Sequence, residues 1–70
     1  MEAINKRIRS LRREAGLSQQ QVADDLKFSR RAVSLWETGH RTPDLHSALL
    51  LADYFHVTLD ELVRGESTEK

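Results

Sequence analysis

Residues 18–39 read SQQQVADDLKFSRRAVSLWETG, a stretch in which two helical patterns flank a short break. Ser18 opens the first pattern, and a glutamine stands three residues later, which is the spacing of a capping box. Ser29 opens the second pattern because serine is a preferred N-cap residue, and Gly39 is suited to ending it. The sequence therefore predicts two short helices joined by a tight turn, with the second running from Ser29 to about Thr38.

Apolar residues at helical spacing predict five short helices along the chain. The residues expected to face the core are, in chain order, Ile4, Ile8, Leu11 and Ala15; Val22, Ala23 and Leu26; Ala32, Val33 and Trp36; Leu45, Ala48, Leu49, Ala52 and Phe55; and Leu59 and Leu62. No segment alternates with the period of two that indicates a strand. The predicted fold is all-α, a compact five-helix domain over residues 1–64 followed by a flexible tail over residues 65–70.

The composition excludes several classes of protein. Seventy residues make one small domain, and the absence of cysteine excludes disulfides and thiolate metal sites. The longest apolar run, residues 48–52, is far shorter than the roughly 20 residues that a membrane span needs. The N-terminus also lacks the apolar segment of a signal peptide. We therefore expect a soluble, cytoplasmic protein that does not contact a membrane.

The charged residues are unevenly distributed, although the formal net charge is zero. Residues 1–41 hold nine Lys or Arg against five Asp or Glu, whereas residues 42–70 hold two against six. The first part therefore carries a charge of +4 and the second a charge of −4. A basic part attached to an acidic remainder favours a polyanionic partner.

Two short helices joined by a turn of three or four residues match the helix-turn-helix unit, whose second helix enters the major groove of DNA. Further motifs lie in order between Ile4 and Val63. They are Ile8-Arg9-x-Leu11-Arg12, Gly16-Leu17-Ser18-Gln19, Val22-Ala23-x-x-Leu26, Ser29-Arg30, Val33-Ser34-x-Trp36-Glu37-x-Gly39, Arg41-x-Pro43, Leu51-Ala52-Asp53 and Val57-x-Leu59-x-Glu61-Leu62. In this order and spacing the chain resembles the lambda-repressor-like helix-turn-helix regulators, also called the Cro/C1-type or XRE family.

The resemblance implies that double-stranded DNA lies against the second helix of the unit and its flanks. The candidate DNA-binding residues are Gln19, Gln20, Lys27, Ser29, Arg30, Arg31, Ser34, Leu35, His40, Arg41 and Thr42. Arg30 and Arg31 are the best candidates for reading bases, because an arginine can bond O6 and N7 of guanine together. One of the two can instead hold a phosphate, and both can simply solvate a helix start, although the helix dipole disfavours a cation there.

Other positions receive structural interpretations. The resemblance implies a partly buried salt bridge between Arg12 and Glu37, so we interpret Arg12 as structural first and as a DNA contact second. Lys27 and His56 stand where the family often has glycine, and at Lys27 the turn tends to need left-handed backbone. Leu35 stands where the family often has a polar residue, which leaves three alternatives: contact with a thymine methyl group, packing on Phe28, or contact with a partner protein.

The expected function is sequence-specific regulation of transcription, most simply repression by a homodimer on an inverted-repeat operator. The possible dimer contacts are Leu50, Tyr54 and Val63. An antitoxin-like or adaptor module on the same fold is the alternative, and the clustered arginines favour DNA over it. We expect no enzyme, no cofactor and no metal, because the three histidines lack helical metal-site spacing and no catalytic constellation is recognisable.

Overall fold

The computed structural model describes residues 4–64. Over that range the chain forms α1 (Ile4–Glu14), α2 (Gln19–Leu26), α3 (Arg30–Thr38), α4 (Leu45–Tyr54) and α5 (Leu59–Arg64), with no strand. The predicted all-α, five-helix fold is therefore confirmed. Within the same range no helix is long and apolar enough to cross a membrane. The predicted tail over residues 65–70 lies outside the described residues.

Side-chain caps fix where the helices begin. Ser18, Ser29 and Asp44 each accept a hydrogen bond from the backbone N–H three residues later, at 3.0, 3.0 and 2.8 Å. Before α5, the Thr58 N–H donates to the Glu61 carboxylate at 2.8 Å and the Glu61 N–H donates back to the Thr58 hydroxyl at 3.0 Å, which completes a capping box. The helix starts predicted at Ser18 and Ser29 are thus formed by the residues expected to cap them.

The turn between α2 and α3 requires left-handed backbone at Lys27, where φ is 62°. The next N–H, that of Phe28, donates to the Ala23 carbonyl at 2.8 Å and so closes the end of α2. His56 after α4 has the same backbone conformation, with φ of 59°. These two non-glycine residues therefore occupy the conformation in which glycine is favoured.

The core lies between the five helices, where α3 packs on α1 and α2, and α5 packs on α1 and α4. The largest fully buried side chains are Ile8, Val22, Val33, Leu51 and Leu62, and these come from all five helices. Trp36 closes the core on the α2 side, where its ring meets that of Phe28 edge-on, with the centroids 4.8 Å apart and the planes at 88°. This packing holds α3 rigidly while one of its faces stays outside the core.

The predicted inward face of α4 is wrong at two positions. Leu45 is 66% exposed and Leu49 is 44% exposed, whereas Ser47, Ala48, Leu51 and Ala52 form the buried face. Because α4 is apolar almost all round, the hydrophobic pattern does not determine which face turns inward. Ala15, also predicted to face the core, is exposed just beyond the end of α1.

Candidate nucleic-acid interface

The two faces of α3 differ sharply in burial. Val33, Trp36 and Glu37 are buried and attach the helix to the rest of the domain. Arg30 and Arg31 are exposed in the first turn, which begins at the Ser29 cap. Ser34 and Leu35 lie between these extremes and are half-buried.

A shallow concavity of about 330 Å³ lies between α3 and the loop that follows it. It is lined by Ser29, Arg31, Ala32, Leu35, His40 and Arg41. Every lining residue except Ala32 is a DNA-binding candidate from the sequence, and the structure brings them together from three segments: the α3 cap, the helix itself and the loop. The lining of this recess therefore combines two apolar side chains with two guanidinium groups.

The loop after α3 is held against the helix by short-range hydrogen bonds. The Arg41 N–H donates to the Leu35 carbonyl at 3.2 Å. The Thr38 hydroxyl lies 2.8 Å from His40 Nδ1 and donates to the Ser34 carbonyl at 3.1 Å. His40 and Arg41 therefore have defined positions at the rim of the concavity.

Arg12 and Glu37 form a partly buried ion pair beneath α3. Arg12 Nε and Nη2 donate to the two carboxylate oxygens of Glu37 at 2.6 and 3.0 Å, and the side chains are only 14% and 3% exposed. A third donor, Arg12 Nη1, reaches the Leu17 carbonyl at 2.8 Å. The hydrogen bond to Glu37 raises the pKa of Arg12, although burial opposes the shift. Arg12 thus has the structural environment that the resemblance implies.

Gln19 joins this ion pair, a contact that the sequence pattern does not predict. Its Nε2 donates to Glu37 Oε1 at 3.1 Å, so Glu37 links α1, α2 and α3. The first backbone hydrogen bond of α2 runs from the Val22 N–H to the Ser18 carbonyl at 3.2 Å. The N–H groups of Gln19 and Gln20 come before it and therefore have no acceptor within the helix. A glutamine opening a helix gives no sequence signal for a partner 18 residues away.

The remaining candidates do not line the concavity. Arg30, Lys27 and Thr42 are exposed beside it. Gln20 is exposed, and its amide donates to Asp24 at 2.9 Å on the same helix. These four side chains are therefore accessible to a ligand but are not part of the recess lining.

The candidate dimer contacts differ in how exposed their side chains are. Leu50 is half-buried, and the Tyr54 hydroxyl donates to the Asp25 carboxylate at 2.5 Å. Val63 is 47% exposed, and the large apolar residues that join it at the surface of the described chain are Leu45 and Leu49. No group of three histidine or carboxylate side chains within residues 4–64 is arranged to hold a metal ion.

The capped helices α2 and α3, the left-handed turn between them and the exposed arginines of α3 define a helix-turn-helix domain. Residues 8–62 match the family model described as helix-turn-helix, and the chain belongs to this family in its Cro/C1 type.

The chain is similar to several proteins named as transcriptional regulators. It is 40% identical over 63 residues to the HTH-type transcriptional activator BcrR of Enterococcus faecalis, covering 90% of this chain and 31% of that protein. It is 35% identical over 67 residues to the HTH-type regulator YqaE of Bacillus subtilis, covering 96% and 58%. The chain thus spans less than two thirds of the length of these relatives.

Two solved structures share the fold. The P22 c2 repressor, crystallised with a synthetic operator, superimposes with a TM-score of 0.88 at 24% identity, covering 94% of this chain and all of that one. A transcriptional regulator from Listeria innocua superimposes with a TM-score of 0.81 at 34% identity, covering 96% and 62%. The fold is the lambda-repressor-like DNA-binding fold.

Proposed function

We propose that this domain binds double-stranded DNA sequence-specifically, with α3 in the major groove, and represses transcription as a homodimer on an inverted-repeat operator. The observation that carries the proposal is the recess beside α3, which Arg31, His40 and Arg41 line together with two apolar side chains. Membership of the helix-turn-helix family supports DNA as the ligand, since the second helix of this unit reads the major groove. Repression is the simplest outcome because blocking a promoter needs no further surface.

The two arginines of the first α3 turn take different roles in this proposal. Arg31 lines the recess, so its guanidinium is directed to the edge of a guanine in the groove. Arg30 is exposed outside the recess and is assigned to a phosphate. Ser34 is half-buried on α3, and we assign its short polar side chain to the groove.

Phosphate contacts come from both sides of α3. The N-terminal turn of α2 presents the backbone N–H groups of Gln19 and Gln20 at the positive end of the helix dipole. Lys27 in the turn and Arg41 with Thr42 in the loop are exposed and supply further donors. These contacts fix the register of α3 in the groove and carry little sequence information.

The ion pair of Arg12 and Glu37 acts as a support rather than as a DNA contact. It is almost completely shielded from solvent, and through Gln19 it couples the α2 start to the α3 end. The two elements that contact DNA therefore keep a fixed relative position.

The proposed dimer contact uses the acidic half of the molecule. We keep Val63 in it because this side chain is 47% exposed, and we add Leu49, whose exposure on α4 gives it a larger apolar surface than the half-buried Leu50. A twofold pair of domains would present two α3 helices to successive major grooves.

Selection of bound sequences from a random double-stranded DNA library tests the proposal. The expected result is an enriched palindrome whose half-sites are separated by about one helical turn, roughly 10 base pairs. Arg31→Ala should relax the enriched sequence at one base pair of each half-site. Arg13→Ala, which removes the same charge from an exposed position on α1, is the matched control and should leave the enriched sequence unchanged. Failure of the parent protein to enrich any sequence would contradict the proposal and favour the adaptor alternative.

A further inference from the structure

We propose that His40 couples DNA binding to the uptake of a proton from solvent, so that the domain binds DNA more tightly as the pH falls. The ligand of the protonated imidazole is a phosphate of the DNA backbone. The inference rests on the proposed function, since it adds control by pH to the same DNA-binding surface.

A hydrogen bond to Thr38 determines which nitrogen of the His40 ring takes up the proton. The Thr38 hydroxyl lies 2.8 Å from His40 Nδ1. The same hydroxyl lies 3.1 and 3.3 Å from the carbonyl oxygens of Ser34 and Leu35. A hydroxyl has one hydrogen and a carbonyl oxygen only accepts, so Thr38 donates to the α3 backbone and accepts from His40 Nδ1–H. The neutral ring therefore carries its hydrogen on Nδ1, and Nε2 is the nitrogen that gains the proton.

The neutral and protonated forms of this ring differ in what they offer to DNA. Neutral Nε2 is an acceptor and a phosphate oxygen is also an acceptor, so the two cannot form a hydrogen bond. Protonated Nε2 is a donor on a positively charged ring, and it can form a charge-assisted hydrogen bond to phosphate. Because Nδ1 donates to Thr38 in both forms, the proton changes the charge of the ring without releasing it from α3.

The recess lining holds no counter-charge for a protonated His40. This side chain is exposed, and the charged residues that line the recess with it are Arg31 from α3 and Arg41 from the loop. None of the described residues that line the recess is a carboxylate. From α1, the side chain that approaches the neighbouring Gly39 is Asn5, whose amide is neutral. A DNA phosphate supplies the missing anion, so the DNA-bound state holds the proton more tightly than the free domain does.

The experiment measures this coupling on the operator that the full chain enriches. The Kd is measured at constant salt concentration between pH 5 and 8, the range in which histidine titrates. It should fall by about fivefold per bound domain from pH 8 to pH 5, the difference between a hydrogen bond to a neutral group and one to a charged group. Calorimetric titrations in buffers of different ionisation enthalpy count the protons. The uptake should reach a maximum of about 0.4 proton per bound domain, the value that corresponds to a fivefold change.

Variants locate the effect on the protein. His40→Gln keeps a polar side chain and should lose both the proton uptake and the fivefold change in Kd. The matched control is His46→Gln, which removes an exposed histidine of α4 outside the recess lining and should keep both. Circular dichroism at each pH establishes that the variants are folded.

Thr38 provides a separate test of the assigned ring nitrogen. Thr38→Val removes the hydroxyl, so a neutral ring is free to carry its hydrogen on Nε2 and to donate to phosphate without a proton from solvent. The proton uptake should therefore decrease in Thr38→Val and remain in Thr38→Ser, which keeps a hydroxyl.

The outcomes separate this inference from the proposed function. An enriched operator whose Kd is independent of pH, with no proton uptake, would overturn the coupling and leave sequence-specific binding intact. Undiminished uptake in folded His40→Gln would also overturn it, and undiminished uptake in folded Thr38→Val would overturn the assignment to Nε2. If the full chain enriches no sequence, the proposed function fails and this inference fails with it.

Discussion

Lys27 is the residue at which the turn of the helix-turn-helix unit is strained. Its φ of 62° places a side chain where only glycine is relaxed. We expect Lys27→Gly to raise the free energy of unfolding by about 1 kcal/mol, measured by urea denaturation.

Gly16 offers the matched opposite change. Its φ is 73°, and a methyl group added there meets no atom within 4 Å, so Gly16→Ala introduces backbone strain without a steric clash. We expect Gly16→Ala to lower the free energy of unfolding by about 1 kcal/mol. A Lys27→Gly protein that unfolds more easily than the parent would contradict the account of the turn.

Glu37 is the most consequential charged residue of the interior. Glu37→Gln leaves the guanidinium of Arg12 shielded and without its counter-charge, so we expect unfolding to become easier by about 3–5 kcal/mol. The exposed pair of Arg64 and Asp60, with Nε and Oδ1 2.8 Å apart, supplies the control. Asp60→Asn should lower the free energy of unfolding by less than about 0.5 kcal/mol. Equal effects of the two substitutions in thermal or urea unfolding would show that the buried pair is not structurally special.

Several residue roles follow from the sequence and others do not. The caps at Ser18 and Ser29 are local, because a serine hydroxyl bonds an N–H three residues away, and local bonds are readable from a pattern. The left-handed turn at Lys27 was inferred from the resemblance. The link from Gln19 to Glu37 depends on how α2 meets α3 in space, and no local pattern encodes it.

At the level of elements, a hydrogen bond from Tyr54 to Asp25 ties the end of α4 to the end of α2. The bond, more than burial, raises the pKa of Tyr54 to about 12. This pKa is above the ordinary value of about 10. The hydrogen bond therefore stabilises the folded protein below pH 10, and this stabilisation is lost as the pH rises towards 12.

Tyr54 is the one tyrosine of the chain, so ultraviolet titration of the phenol measures it without interference. The expected midpoint is about 12 in the parent protein. In Asp25→Asn the acceptor loses its charge and the midpoint should move back towards 10. The same midpoint in both proteins would mean that the tie is absent in solution.

The elements differ in how well the sequence predicts their orientation. In α3 the apolar residues are few, with arginines before them and Glu37 and Thr38 after them, so the pattern identifies Val33 and Trp36 as the buried side. In α4 the run of residues 48–52 is wholly apolar, so the pattern is compatible with several rotations about the helix axis. Contacts of α4 with α5 and the core decide its rotation, and they leave Leu45 and Leu49 outside.

At the scale of the whole molecule, charge is divided between two regions. The part of the chain up to residue 41 carries α1, the helix-turn-helix unit and nine of the eleven basic residues. The remainder carries α4, α5 and most of the exposed large apolar side chains. This division was readable from the sequence, but the recess beside α3 was not, because it needs the loop folded back onto the Leu35 carbonyl.

In the proposed complex, α3 reads the DNA sequence while its flanks bind the DNA backbone. The most direct test compares the affinity of Arg31→Ala and Arg41→Ala for the selected operator and for random DNA over a range of salt concentrations. Arg31→Ala should lose much more affinity for the operator than for random DNA, by about 1–3 kcal/mol. Arg41→Ala should lose similar affinity for both and lower the salt slope by about one unit. Equal losses of Arg31→Ala on operator and random DNA would contradict base reading by α3.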